Sequence, residues 1–228
     1  MAIFTVGVFL VLYVVLSTGA SIYLHEKEHG VVNWLQCCLA FFLPLNSLIC
    51  VWEISLFINI DHIKAEYTKL KRNFKGKELE ACANFFTAPL SLSNLFSLKY
   101  WSNVWSTYAL YDPSYSNKES FGFFVDVSNG FSFLLPSLLY LYAMTYDIST
   151  YMSARALGLM GLVKFYVEFH GTCVYFLSFF FNRRYKGFSN FEVGLFVGFS
   201  NGLWFVFPLL GCYASYYLIE SNSFVVLR

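Results

Sequence analysis

The chain has 228 residues, of which 57% are hydrophobic, 21% aromatic and only 13% charged, with 27 phenylalanines and a formal net charge of +1. A soluble domain could not hide that much apolar surface, so the sequence is read as an integral membrane protein. Near-neutral charge, with Glu66, Glu78 and Glu80 diluting its main basic run, argues against a nucleic-acid-binding face.

Crossing the hydrocarbon takes about 20 helical residues. Windows near 2–24, 32–60, 121–146, 157–181 and 193–219 qualify and predict an all-α polytopic bundle of five transmembrane helices. Their apolarity is continuous rather than alternating, which disfavours a closed barrel. The first element, 1–30, lacks a basic leader and its apolar run is too long for a cleaved signal, so it is expected to be retained. His25 and His29 follow at one-turn spacing, a pattern that metal sites use. Two further ligands are not evident, so neither a metal nor another cofactor is expected.

The second element, 31–60, carries Glu53 as its one charge in the apolar window. Residues 61–120 then combine Lys64, Lys69, Lys71, Arg72, Lys75 and Lys77 with a downstream run of Phe, Leu and Trp. That composition reads as an interfacial loop against anionic headgroups and the aromatic belt, or as a solvated loop followed by a short helix. Asp126 is the sole charge of the third window, whereas the fourth holds Lys164, Glu168 and His170. Lys164 and Glu168 are four apart and can neutralise each other. Pro44, Pro136 and Pro208 predict kinks beside a cavity, and residues 220–228 read as a short tail. The six cysteines show no zinc or disulfide spacing and read as small buried hydrophobes.

Basic residues favour one side: those of 61–120 together with Arg183, Arg184 and Lys186 oppose only Lys27, Arg155 and Arg228. The positive-inside rule places the amino terminus in the cytosol, or in the matrix of a mitochondrion. A charge at the bilayer centre costs about 2.5–3.5 kcal/mol on the lenient insertion scale, so Glu53 and Asp126 call for a purpose. Two desolvated carboxyls facing one cavity can divide acid and base roles in a proton shuttle, or each can tie neighbouring helices together.

Two strings are more specific: WSTYALYDPSY, with Trp105, Tyr108, Asp112 and Tyr115, and SNGLWFVFP, with Asn201, Trp204 and Pro208. Together with the Asp112-to-Asp126 spacing, they resemble the EXPERA superfamily over about 101–219, and VWEISLF resembles its second acidic position. The likeness is greatest to the family's sterol isomerases. It implies a four-helix core, an intramembrane cavity for a sterol or amphipathic amine, and residence in the endoplasmic reticulum. The mitochondrial inner membrane is the alternative. The isomerase shifts a sterol B-ring double bond through a carbocation. By resemblance, Glu53, Asp126 and Asn201 serve catalysis, while Trp204, Trp105, Tyr108, Asp112 and His170 bind the ligand. A basic tail in the isomerases is expected on the cytosolic side, which opposes the vote of the basic loops here.

Several positions depart from the isomerase pattern. Ile49 stands where the family has a histidine, Asp126 replaces a glutamate, and Glu168 and His170 replace a glutamine and an aromatic residue. The loop after the second helix is also some thirty residues longer than is usual in the isomerases. Two other readings therefore stand beside catalysis: a non-catalytic sterol or amine binder, and an accessory subunit joining a homodimer or larger membrane complex through 61–120.

Overall fold

The computed structural model describes residues 4–228, and these fold almost entirely as helix. In chain order they are α1 (Val6–His29), α2 (Trp34–Ile58), α3 (Ile60–Asn73), α4 (Glu78–Thr87), α5 (Leu92–Leu95), α6 (Leu98–Trp101) and α7 (Asn103–Tyr108). After a 3-10 turn at Pro113–Ser116 come α8 (Phe121–Thr145), α9 (Ala154–Phe181) and α10 (Asn190–Glu192). A π-helical stretch, Val193–Phe199, leads into α11 (Ser200–Ser221), and a 3-10 turn, Phe224–Leu227, follows.

Among the described residues, four helical segments are long and apolar enough to cross a membrane: Val6–His29, Trp34–Ile58, Phe121–Thr145 and Asn190–Ser221. The chain is thus an all-α protein with the character of a multi-pass membrane protein. Of the five spans predicted, α9 falls outside this set; it has 28 residues but carries Lys164, Glu168 and His170 in its middle. Pro44, Pro136 and Pro208 all lie inside helices, and the Pro44 carbonyl accepts a hydrogen bond from the Tyr13 hydroxyl at 3.0 Å.

The chain divides into two compact units. Among the described residues one comprises 4–12, 49–131 and 174–201, and the other 13–48, 132–173 and 202–228. The long connections after α2 and α9 belong to the first, and those after α1 and α8, with the chain end, to the second.

In the first unit, the segment expected as an interfacial loop is largely helical. The spacing of Ile63, Tyr67, Leu70 and Phe74 gives α3 one apolar face, and its lysines lie on the exposed face. Tyr67, Leu70 and Phe74 pack with Phe188 and Phe196 around Ala81, Cys82, Leu110 and Tyr111. Burial drives the Cys82 thiol up to about 12, as expected for a thiol screened from water. Two helices meet at Gly130: a Cβ on it would stand 2.7 Å from Glu53 Cβ, 2.9 Å from the Cys50 carbonyl oxygen and 3.0 Å from Ile54 N. Glycine at that position lets the α2 and α8 backbones approach directly.

The second unit has the larger core, in which Leu39, Phe42, Tyr140, Leu157, Phe165, Ala214 and Leu218 are buried together. Gly158 packs on the Ser215 carbonyl and Gly211 on the Phe165 ring, again at small-residue positions. The short tail packs on this core, where Phe224 and Leu227 are buried.

Candidate functional site

The first unit gathers most of the residues singled out in sequence. Two elements build one wall. The Asp112 carboxylate caps the Pro113–Ser116 turn by accepting from Ser114 N at 3.0 Å, and its other oxygen accepts from Arg184 Nη1 at 2.9 Å. Asp112 is fully buried, so this ion pair locks the turn that presents Tyr115. Trp105 is anchored by its indole N–H, which donates to the Trp52 carbonyl at 2.7 Å, and its ring stacks on Tyr115 at 5.2 Å.

Against this wall lies Asp126. The Tyr115 hydroxyl hydrogen-bonds its carboxyl, and the charges of Asp126 and Asp112 are both felt at Tyr108. Tyr108 hydroxyl meets the Tyr175 hydroxyl at 2.8 Å and accepts from Asn201 Nδ2 at 2.9 Å. Burial pushes the Tyr108 and Tyr115 hydroxyls above the usual phenol range, so both remain protonated hydrogen-bond donors at physiological pH. Asn201 is itself aimed by the π-helical stretch. That wider turn leaves the Val197 carbonyl able to accept from Asn201 Nδ2 at 2.9 Å, while Ser200 Oγ donates to the Phe196 carbonyl. Such π segments recur at functional sites because they re-aim side chains.

Glu53, on α2, is 5% exposed and touches α8 at Gly130. Asp126 lies four residues before Gly130, on the same face of α8, so the two acids stand about one turn, roughly 6 Å of helix rise, apart along this contact. Glu53, Asp126 and Asn201 all belong to the first unit.

Two predicted members belong to the second unit. His170 is exposed and stacks on Tyr166 one turn away at 5.8 Å, because positions 166 and 170 share the outer face of α9. Trp204 belongs to the second unit, where its indole N–H donates to Asn46 Oδ1 at 2.8 Å. Asn46 Nδ2 in turn donates to Ser137 Oγ at 3.1 Å and to Glu168 Oε1 at 2.8 Å. Glu168 accepts from Lys164 Nζ through both oxygens at 2.9 Å, and both side chains are 1% exposed. The ammonium also lies over the rings of Phe165 at 4.2 Å, Phe42 at 5.6 Å and Phe133 at 5.9 Å. This arrangement compensates a buried charge pair on every side, by the carboxylate, the amide and three aromatic faces.

His25 Nδ1 bonds the Met144 carbonyl and His29 Nε2 the Thr145 carbonyl, each at 2.8 Å, and no metal-binding group of three occurs among the described residues. Sequence reasoning missed Tyr175, Arg184 and Asn46. A signal for Tyr175 existed, since Lys164, Glu168, Thr172 and Tyr175 follow the helical period along one buried face of α9; nothing local marks Arg184.

Comparison with known proteins returns no match among family models, curated proteins or solved structures.

Proposed function

We propose that this chain is an EXPERA-type membrane protein of the endoplasmic reticulum. It binds a sterol and shifts a double bond of its B ring, with Asp126 and Glu53 as the proton-handling pair. The reading is supported by the contact of Glu53 with α8 at Gly130, four residues along α8 from Asp126, and by Tyr115 as a partner of the Asp126 carboxyl. In such a reaction one carboxylic acid gives its proton to an alkene carbon. The other, as carboxylate, removes a proton from the carbon on the far side of the cation, so the double bond moves and no atom is lost. Tyr115 would hold the Asp126 carboxyl in place, and the Trp105 ring stacked behind it would fix the orientation of Tyr115. α9 serves as the fifth span, its charges neutralised within the unit by Lys164–Glu168 pairing.

A second reading, binding without catalysis, is favoured by Ile49, which leaves phenols rather than an imidazole beside the acids. Complementation separates the two. A yeast strain lacking its sterol isomerase is expected to grow with this chain and not with Asp126→Asn expressed to the same level. Sterol retention by the purified chain without rescue would instead select the binding reading, and absence of both would refute each.

A further inference from the structure

We infer that the turn joining α9 to α10, with the basic face of α3 beside it, binds the phosphate headgroup of an anionic phospholipid. The turn closes α9 as a Schellman motif: Arg184 N donates to the Phe179 carbonyl at 3.1 Å and Arg183 N to the Phe180 carbonyl at 3.0 Å. Arg183 occupies the left-handed position of that motif, at φ +52°. Glycine normally takes this place, and an L residue is strained there, so helix termination does not account for an arginine.

What Arg183 offers is charge. Arg183 and Lys186 are exposed, and no carboxylate lies within ion-pair distance of either among the described residues; Arg184, by contrast, is committed to Asp112. Beside them opens a pocket of about 280 Å³ lined by Phe180, Tyr185, Phe188, Asn190 and Val193. Its Phe188 packs into the same apolar cluster as Tyr67, Leu70 and Phe74 of α3, the helix on which Lys71, its ammonium on the Tyr67 hydroxyl at 3.0 Å, and Arg72 are exposed.

Charge complementarity calls for an anion, and the location selects its source. The pocket lies where the apolar span Asn190–Ser221 begins, and Phe180 and Phe181 are exposed at the end of α9, 52% and 87% respectively. Aromatic side chains at a span terminus, flanked by unpaired basic groups, suit the boundary where headgroup phosphate meets acyl chain. A soluble anion would gain nothing from the apolar lining.

The test uses the full chain purified in detergent, with thermal unfolding followed as lipid is added. Phosphatidylglycerol is expected to raise the unfolding temperature in a salt-sensitive way, and phosphatidylcholine and free glycerol phosphate are not. In Arg183→Gly/Lys186→Gln the effective concentration of phosphatidylglycerol should rise about twenty-fivefold, at about fivefold per charge removed. Arg183→Gly alone should unfold at an equal or higher temperature in phosphatidylcholine, because the left-handed position then holds its preferred residue. Equal stabilisation by both lipids, an unaltered response in the double variant, stabilisation by glycerol phosphate alone, or a destabilised Arg183→Gly would each overturn the inference.

Discussion

Gly130→Ala probes the contact that brings the two acids together. The added methyl would meet Glu53 Cβ at 2.7 Å, the Cys50 carbonyl oxygen at 2.9 Å and Ile54 N at 3.0 Å. All three are backbone or Cβ atoms, which cannot swing aside, so α8 must move from α2 by on the order of 0.5–1 Å to restore ordinary contact. Overpacking of this kind costs about 1–3 kcal/mol, against which the better helix propensity of alanine returns about 0.5–1 kcal/mol. Overpacking wins, and a net loss of about 1–2 kcal/mol lowers the unfolding temperature by about 2–8 °C in a chain of this size. Gly202→Ala is the control: a Cβ there meets nothing within 4 Å, so the same substitution should leave the temperature unchanged or raise it by a few degrees. The assay is thermal unfolding of both variants in the same detergent. Should Gly130→Ala prove as stable as the parent while Gly202→Ala behaves as stated, the direct helix contact at Glu53 is wrong.

Other perturbations test separate parts of the fold. Lys164→Met or Glu168→Gln alone leaves half of a buried pair and should cost about 3–5 kcal/mol. The double variant should recover much of this loss, and a double-mutant cycle by chemical unfolding measures the coupling. Asn46→Leu strips the Trp204 indole of its acceptor and Glu168 of a donor, so a shift in tryptophan emission with lowered stability is expected. The Cys82 thiol is held up to about 12 by burial, above its usual value near 9. Because the folded state holds this proton more tightly, the associated stability is intact below pH 9 and is lost as pH rises toward 12. Cys82→Ala should flatten that alkaline loss in unfolding scans, and in the parent Cys82 should resist alkylation until the protein unfolds.

The helices of the bundle were legible because hydrocarbon imposes a length and a composition that show directly in sequence. Glu53 and Asp126 were legible for the same reason, as lone charges in apolar windows. Residues 61–120 were not, since the apolar faces of the amphipathic helices α3 and α4 become meaningful only in a cluster completed by Phe188 and Phe196, far away in the chain. The face that His170 takes was not legible, because a helical residue's type says nothing of its face until neighbours such as Lys164 and Glu168 claim the interior. Trp204 was singled out by the resemblance of SNGLWFVFP, and the hydrogen bond of its indole to Asn46, 158 residues distant, had no sign in the sequence. Long-range polar partners of this kind, Arg184 for Asp112 among them, leave no local pattern to read.

The proton-transfer claim is tested most directly by isotope incorporation. The purified chain in nanodiscs would be incubated in deuterated water with a sterol bearing the unshifted B-ring double bond, and the sterol analysed by mass spectrometry and NMR. The account predicts a shifted double bond with one deuterium at the carbon that receives the acid's proton, lost in Asp126→Asn. Sterol recovered unshifted and unlabelled, from protein that demonstrably binds it, would contradict it.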